Sequence, residues 1–185
     1  MIYDWKKIVK NGLPLLTLFV FIEIFAGQIL QGQQDTLVKL PIFLISLPVI
    51  NGVGGNLGSV LGARIASGLH VGYINSDLKD KTMHENLFTS ILVGIFVYFV
   101  LAILIYLVVS FSNKQVGIVP MKFISVVLGA GVLLVCVVCI ASIFTAFWSF
   151  KKGLDPDDNV APVVTTIGDT LGIIFLFILI GVVGI

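Results

Sequence analysis

The chain has 185 residues, a formal net charge of +1, 58% hydrophobic residues and 11% charged residues. Soluble domains are roughly 45–50% apolar, so this composition and the mean hydropathy of +1.12 exclude an ordinary soluble domain and predict an integral membrane protein. The near-zero charge and the lack of a basic stripe argue against nucleic acid as a partner.

Five apolar segments are long enough to cross the roughly 30 Å of a bilayer core at about 1.5 Å per helical residue. They lie at about 13–31, 37–69, 87–110, 121–150 and 162–185. The predicted fold class is an all-α membrane protein with a single domain over residues 1–185. Eight of the eleven Lys and Arg residues fall on the side of the N-terminus. The positive-inside rule therefore predicts a multi-pass protein of the cell membrane with a cytoplasmic N-terminus and an external C-terminus.

The first segment carries Glu23 within GLPLLTLFVFIEIFAGQIL. We expect a retained span, because the run is too long for a signal peptide and lacks a convincing cleavage site. A charge at membrane depth costs roughly 3 kcal/mol or more, and no basic residue lies in this run to offset it. Glu23 is therefore either a proton or coupling site or a buried hydrogen-bond anchor.

The second segment contains Pro41, Pro48 and Asn51, followed by GVGGNLGSVLGAR. As one helix, its roughly 33 residues would measure about 50 Å, so we expect it to be broken, tilted or extended beyond the membrane. An interruption at residues 51–56 would expose carbonyl groups that can ligate ions. Small residues also recur at every fourth position, a pattern typical of close helix packing: Gly54, Gly58, Gly62 and Ala66.

Two features between the second and fifth segments have plain structural interpretations. Residues 72–85 mix acidic and basic side chains, which indicates a solvated cytoplasmic loop rather than a sensor. Cys136 and Cys139 have the spacing of a CxxC motif. Thiolate and zinc chemistry needs water access that the membrane denies, so both cysteines are predicted to serve packing.

The fifth segment places polar and small side chains on one helical face by the three-and-four spacing: Pro162, Thr165, Thr166, Asp169, Gly172 and Ile173. Such a stripe is typical of a pore wall. Pro162 is expected in the first turn, where its missing N–H is harmless. Asp169 is predicted to hold a cation, and the alternative is a neutral carboxyl group that bonds to threonines. The oxygen donors favour a hard cation such as Mg²⁺, Ca²⁺ or Mn²⁺.

Two segments, PVINGVGGNLGSVLGARIASGLHVG and GLDPDDNVAPVVTTIGDTLG, resemble the transmembrane domain of MgtE-type magnesium channels and of the related solute carrier family 41 magnesium transporters. The run IFAGQILQG in the first span is also similar. The resemblance implies a homodimer of five-helix units with a pore between the halves. Asp169 would bind Mg²⁺ through water, with Thr165 and Asn56 on the same pathway. The pore lining would include Gly54, Gly55, Gly58, Pro162, Thr166 and Gly172.

The resemblance implies magnesium transport, and the alternative is a divalent cation exchanger coupled to Na⁺ or H⁺ with Glu23 as the coupling residue. Arg64 is closer to the solute carrier branch, whose members often couple or exchange ions. Bacterial relatives carry cytoplasmic CBS modules, and we expect none in this chain. An intramembrane hydrolase is disfavoured because His70 and His84 lie at or beyond membrane edges. No enzymatic activity is therefore expected. A purely structural subunit is also disfavoured, because it would leave the polar stripe around Asp169 unexplained.

Overall fold

The computed structural model describes residues 5–112 and 116–185. In these residues the chain forms six helices: α1 (Trp5–Gly32), α2 (Gln34–Lys39), α3 (Pro41–Val71), α4 (Lys81–Phe111), α5 (Pro120–Lys151) and α6 (Pro156–Val183). All except α2 contain a stretch long and apolar enough to cross a membrane. The prediction of an all-helical protein with five candidate spans is therefore confirmed.

Prolines determine where three of the long helices begin. Pro41, Pro120 and Pro156 each stand at the first turn of a helix, where proline has no hydrogen bond to lose. Leu40 has φ −129° and ψ 72°, because a residue that precedes proline is driven out of the helical region. The second predicted span therefore does not run unbroken from residue 37. It begins at Pro41, after the short helix α2.

Of the three alternatives for the second span, an interruption at residues 51–56 is wrong. Helix α3 is continuous through these residues and ends at Gly72, which adopts a left-handed conformation with φ 86°. The internal Pro48 is accommodated within the helix, and the carbonyl groups of residues 51–56 are not released by a break. The 31 residues of α3 span about 46 Å, so the helix is long enough to tilt or to extend past a bilayer core.

Two other boundaries differ from the prediction. Helix α6 begins at Pro156 and Asp155 caps it, accepting a hydrogen bond from the backbone N–H of Asp157 at 3.0 Å. Pro162 therefore lies inside α6 rather than in its first turn. Helix α4 begins at Lys81 instead of residue 87, which shortens the loop of 72–85 to residues 72–80. Both shifts follow from capping carboxylates, which start a helix in polar sequence before the apolar run begins.

Helix α3 is central and packs against α4, α5 and α6, whereas within the described residues α1 contacts α2 and α6 alone. Helices α3 and α6 are antiparallel. A Cβ atom on Gly55 would lie against Thr165, one on Gly58 against Val164 and one on Gly62 against Val160. The predicted stripe of small residues thus brings helices of the same chain together, since Gly54, Gly58, Gly62 and Ala66 are all buried.

Buried hydroxyl groups tie the neighbouring helices to α3. Tyr98 of α4 donates to the carbonyl oxygen of Ile50 at 2.6 Å, and Ser142 of α5 donates to that of Gly58 at 2.8 Å. Such polar contacts between helices add stability where lipid provides no hydrophobic drive for association. Cys139 is buried and Cys136 half-buried in α5, and both thiols are free, in agreement with a packing role.

Candidate functional site

The polar stripe of α6 divides between two neighbouring helices. Pro162, Thr165 and Thr166 line a cleft shared with α1. On another side, Gly172 lies against α3, where a Cβ atom would strike the side-chain oxygen of Asn51. The stripe is therefore not one open wall within a single chain. Its hydroxyl-bearing residues face α1, and its glycine faces α3.

The cleft between α1 and α6 has a volume of about 160 Å³ and brings four of the predicted site residues together. A water molecule occupies about 30 Å³ in the liquid, so the cleft has room for a few waters. Its polar lining comes from Thr165, Thr166 and Glu23, and its apolar lining from Leu16, Phe19, Val20 and Pro162. Thr166 is buried and its hydroxyl donates to Glu23 Oε1 at 3.4 Å.

Asp169 lies one turn farther along α6 and is half-buried. Its backbone carbonyl oxygen accepts a hydrogen bond from Asn51 Nδ2 of α3 at 3.2 Å. Glu23 contacts the same helix through Thr166, three residues before Asp169. Among the side chains that the structure describes, the close pairs of a basic with an acidic group are His70 with Asp155 and Lys81 with Glu85. Asp169 thus takes no basic partner in the described part of the chain.

Thr165 is exposed, and its hydroxyl is 2.9 Å from the carbonyl oxygen of Ala161 and 3.1 Å from that of Pro162. The hydroxyl hydrogen is therefore used within the helix, while the oxygen lone pairs remain free to accept a bond from water. Pro162 has no N–H, so the carbonyl group of Asp158 loses its helical donor. These oxygens are acceptors, the type of group that surrounds a hydrated cation.

The remaining predicted residues do not join this cluster directly. Asn56 is exposed on α3, and none of the side-chain hydrogen bonds in the described segments links it to Thr165 or Asp169. Gly54 and Gly58 are buried against α5 and α6. No three His, Cys, Asp or Glu side chains of the described ranges are grouped to hold a metal. A cation bound here would keep most of its water.

Sequence reasoning missed the side chain of Asn51, which was considered only for its backbone carbonyl group. An amide in an apolar span, three residues after Pro48, was the signal that could have identified it. Its Nδ2 is bonded to the backbone of Asp169, yet its Oδ1 is buried without a partner in the described residues. The amide is the direct link between α3 and the residue predicted to bind the ion.

Comparison with known proteins gives one family match. The MgtE family, described as "Divalent cation transporter", matches residues 47–179. This stretch contains Asn56, Thr165 and Asp169, whereas Glu23 lies outside it. The match extends from α3 into the last turns of α6 and so covers every helix that packs around Asp169 except α1.

Characterised relatives agree with this match. The chain is 25% identical to the magnesium transporter MgtE of Bacillus subtilis over 179 residues, which are 95% of this chain and 37% of that protein. It is 29% identical to solute carrier family 41 member 2 of Gallus gallus over 183 residues, covering 86% and 29% of the two chains. For solute carrier family 41 member 3 of Mus musculus the identity is 27% over 186 residues, covering 90% and 36%.

The chain thus spans about a third of the length of these relatives. The family match covers well over half of the chain, and it includes four of the five candidate spans. The two segments that carry the resemblance, residues 48–72 and 153–172, both fall within it. We therefore conclude that the chain belongs to the MgtE family of divalent cation transporters.

Proposed function

We propose that this chain carries Mg²⁺ across the membrane and that Asp169 binds the largely hydrated ion. The observation that carries the proposal is a half-buried carboxylate on a membrane-spanning helix that makes no ion pair within the described residues. An acidic group at this depth is costly unless a cation or a proton offsets its charge. The family match, and a relative named as a magnesium transporter, support Mg²⁺ as that cation.

The oxygen groups near Asp169 suit a hydrated ion. Mg²⁺ gives up water reluctantly and is usually held by one or two carboxylates with several waters retained. Thr165 offers hydroxyl lone pairs one turn away. Asn56 is exposed at the same level of α3, because its neighbour Gly55 faces Thr165. Mn²⁺ and Ca²⁺ prefer similar oxygen donors, so these ions are the expected competitors.

A second copy of the chain completes this proposal. One chain supplies a single Asp169, and a homodimer would place two of them around one divalent ion, matching its charge. The exposed side chains of Thr165 and Asn56 leave a polar surface that a partner subunit would cover. The pore would lie between the copies in a cell membrane, with Thr166 and Pro162 of α6 along it and Gly54, Gly55, Gly58 and Gly172 in the packing behind. The distribution of lysine and arginine supports a cytoplasmic N-terminus in this arrangement.

Flux in proteoliposomes tests the proposal. Purified protein is reconstituted with an entrapped Mg²⁺ indicator, and uptake is followed under an imposed Mg²⁺ gradient. Asp169→Asn keeps the size of the side chain but removes its charge, so high-affinity binding and uptake should be lost while the protein stays folded. Asp157→Asn removes an exposed acid from the first turn of the same helix and should transport normally. Wild-type affinity in Asp169→Asn would place the site elsewhere.

A second candidate function is exchange of a divalent cation for Na⁺ or H⁺, with Glu23 as the coupling residue. The contact between Thr166 and Glu23 favours it, because it places a second acidic group on the α6 surface near Asp169. The same liposomes separate the two functions. Uptake of Mg²⁺ without any counter-ion supports a channel, whereas strict dependence on Na⁺ or on a pH gradient supports an exchanger.

A further inference from the structure

The hydrogen bond from Asn51 Nδ2 to the backbone carbonyl oxygen of Asp169 joins residues 118 positions apart, and the same amide also lies beside the Asp169 carboxylate. The main chain of α6 is thus held in place at Asp169, while the carboxylate makes no ion pair in the described residues and can still accept hydrogen bonds from the water of a hydrated ion. The carbonyl group of Asp169 also serves the helical ladder of α6. Asn51 thus adds a second donor to an oxygen that already has one.

The bond requires two glycines. A Cβ atom on Gly172 would strike Asn51 Oδ1, and a Cβ atom on Gly168 would lie 3.3 Å from the backbone nitrogen of Gly55 and 3.6 Å from the carbonyl oxygen of Asn51. Only a helix without side chains at both positions can approach α3 this closely. The small residues of α6 and the amide of α3 therefore form one contact.

Stability alone does not account for an asparagine at this position. Its Oδ1 is buried and takes no hydrogen bond within residues 5–112 and 116–185. A buried polar atom without a partner costs stability, whereas an apolar side chain of the same shape costs little. Leucine has nearly the same size, and the side-chain oxygen of Asn51 lies against Gly172, which has no polar side chain to offer it. The amide is thus better explained by its hydrogen bond to Asp169 than by a contribution to core packing.

We propose that Asn51 is a positioning residue for ion binding: it sets the rotation and depth of α6 at Asp169, so that the carboxylate points into the ion pathway. The inference rests on the proposed role of Asp169 as the ion ligand. A binding site needs its ligands held within about 0.5 Å of the productive geometry. Asn51 contributes no charge, so its loss should weaken Mg²⁺ binding without changing the number of charges at the site.

Two other bonds of the same kind supply matched controls. Tyr98→Phe removes the bond to the carbonyl group of Ile50, and Ser142→Ala removes the bond to that of Gly58. Both bonds are buried and both end on α3, but neither reaches α6. If Asn51 only stabilises helix packing, the three substitutions should have similar effects on the Mg²⁺ concentration for half-maximal flux. If it positions Asp169, only the change at Asn51 should affect the Mg²⁺ concentration for half-maximal flux.

The experiment measures initial Mg²⁺ flux against Mg²⁺ concentration, together with thermal unfolding, for the wild type and the variants. Asn51→Leu should raise the half-saturating concentration about three- to tenfold, the effect of losing one hydrogen bond, with the maximal rate and melting temperature nearly unchanged. Tyr98→Phe and Ser142→Ala should leave half-saturation within about twofold of the wild type. Asn51→Ala, which adds no bulk, gives the same comparison if the leucine variant folds poorly.

A double-mutant cycle tests independently whether Asn51 and Gly172 act through one contact. Gly172→Ala should displace the Asn51 amide and weaken Mg²⁺ binding by itself. In the Asn51→Ala background the same change should add little further loss, because the contact is already gone and coupled residues are not additive. Fully additive losses would overturn the positioning role.

Asp169→Asn in the same series separates the two proposals. Loss of Mg²⁺ affinity in that variant, with wild-type half-saturation in both Asn51→Leu and Asn51→Ala, would overturn the positioning role and leave the function intact. An equal shift in Tyr98→Phe would overturn it too. Unchanged Mg²⁺ affinity in Asp169→Asn would overturn the proposed function and the positioning role together.

Discussion

Thr166 Oγ1 lies 3.4 Å from Glu23 Oε1 and joins the peripheral helix α1 to the helix that carries Asp169. In the part of the chain that the structure describes, α1 packs against α2 and α6 and against no other helix. The side chain of Glu23 is exposed, so packing within a single copy does not bury its carboxyl group. This contact makes α1 part of the candidate site rather than a simple membrane anchor.

Glu23→Gln should weaken Mg²⁺ binding but not abolish it. Glutamine keeps an oxygen that accepts from Thr166, so the helix contact survives, while one negative charge near Asp169 is lost. An interaction of about 1 kcal/mol corresponds to roughly a fivefold change in half-saturating Mg²⁺. Glu85→Gln, at an exposed acid outside the apolar part of α4, is the control. An unchanged half-saturation in Glu23→Gln would show that its charge does not act on the ion.

Protons and Mg²⁺ should compete for Asp169. A metal ion binds the deprotonated carboxylate, so Mg²⁺ affinity is expected to fall as the pH is lowered and the carboxylate takes up a proton. Isothermal titration of detergent-purified protein across a range of pH measures this directly. Asp169→Asn should remove the pH dependence together with the high-affinity binding. A wild-type affinity that stays constant with pH would contradict a carboxylate ligand.

Gly58→Leu should destabilise the chain itself. A Cβ atom at Gly58 would lie 3.1 Å from Val164 Cβ and 3.3 Å from Val138 Cβ, so a larger side chain must push α5 or α6 away. Overpacking of this kind costs about 1–3 kcal/mol or more, which thermal unfolding in detergent should detect. Gly52 is the matched control on α3, because a Cβ atom there meets nothing within 4 Å. Equal stability of Gly52→Leu and Gly58→Leu would contradict the packing described.

Asp80→Ala should loosen the start of α4. The carboxylate accepts from the backbone N–H groups of Asn75 at 3.1 Å and Met83 at 2.9 Å, and these bonds hold the pKa of Asp80 below its ordinary value of 3.8. A group with a lowered pKa in the fold stabilises it above the unfolded pKa, and this contribution is lost as the pH falls through the folded pKa. The variant should therefore melt at a lower temperature at neutral pH, with a smaller difference in strong acid.

Transport should not depend strongly on the acids of this region. Neutralising Asp77, Asp80 and Glu85 with amides keeps the oxygen that caps α4, so we expect Mg²⁺ flux to change less than about threefold. Flux in liposomes, with and without Mg²⁺ on the cytoplasmic side, measures the effect. A large loss of sensitivity to Mg²⁺ would instead identify the loop of residues 72–80 as a regulatory element.

The helical fold class and the number of candidate spans could be predicted from the sequence. A membrane-spanning helix needs about 20 apolar residues whatever surrounds it, and a bilayer admits no open backbone, so segment length is sufficient evidence. The stripe containing Thr165, Thr166 and Asp169 was also visible, because the helical period is a local property. Helix boundaries were less accurate. Asp80 and Asp155 start α4 and α6 in polar sequence, which hydropathy does not register.

The partners of each helix were decided only by the tertiary structure. Gly58 and Gly62 were visible as a stripe, but nothing local indicated that it packs against α5 and α6 of the same chain. The approach of Glu23 to Thr166 and the bond from Asn51 to Asp169 join residues more than a hundred positions apart. In lipid, helices associate through shape and a few polar contacts rather than through apolar burial. Hydropathy reports which segments leave water, and it does not distinguish contact with lipid from contact with another helix. It therefore predicts the spans but not how they pair.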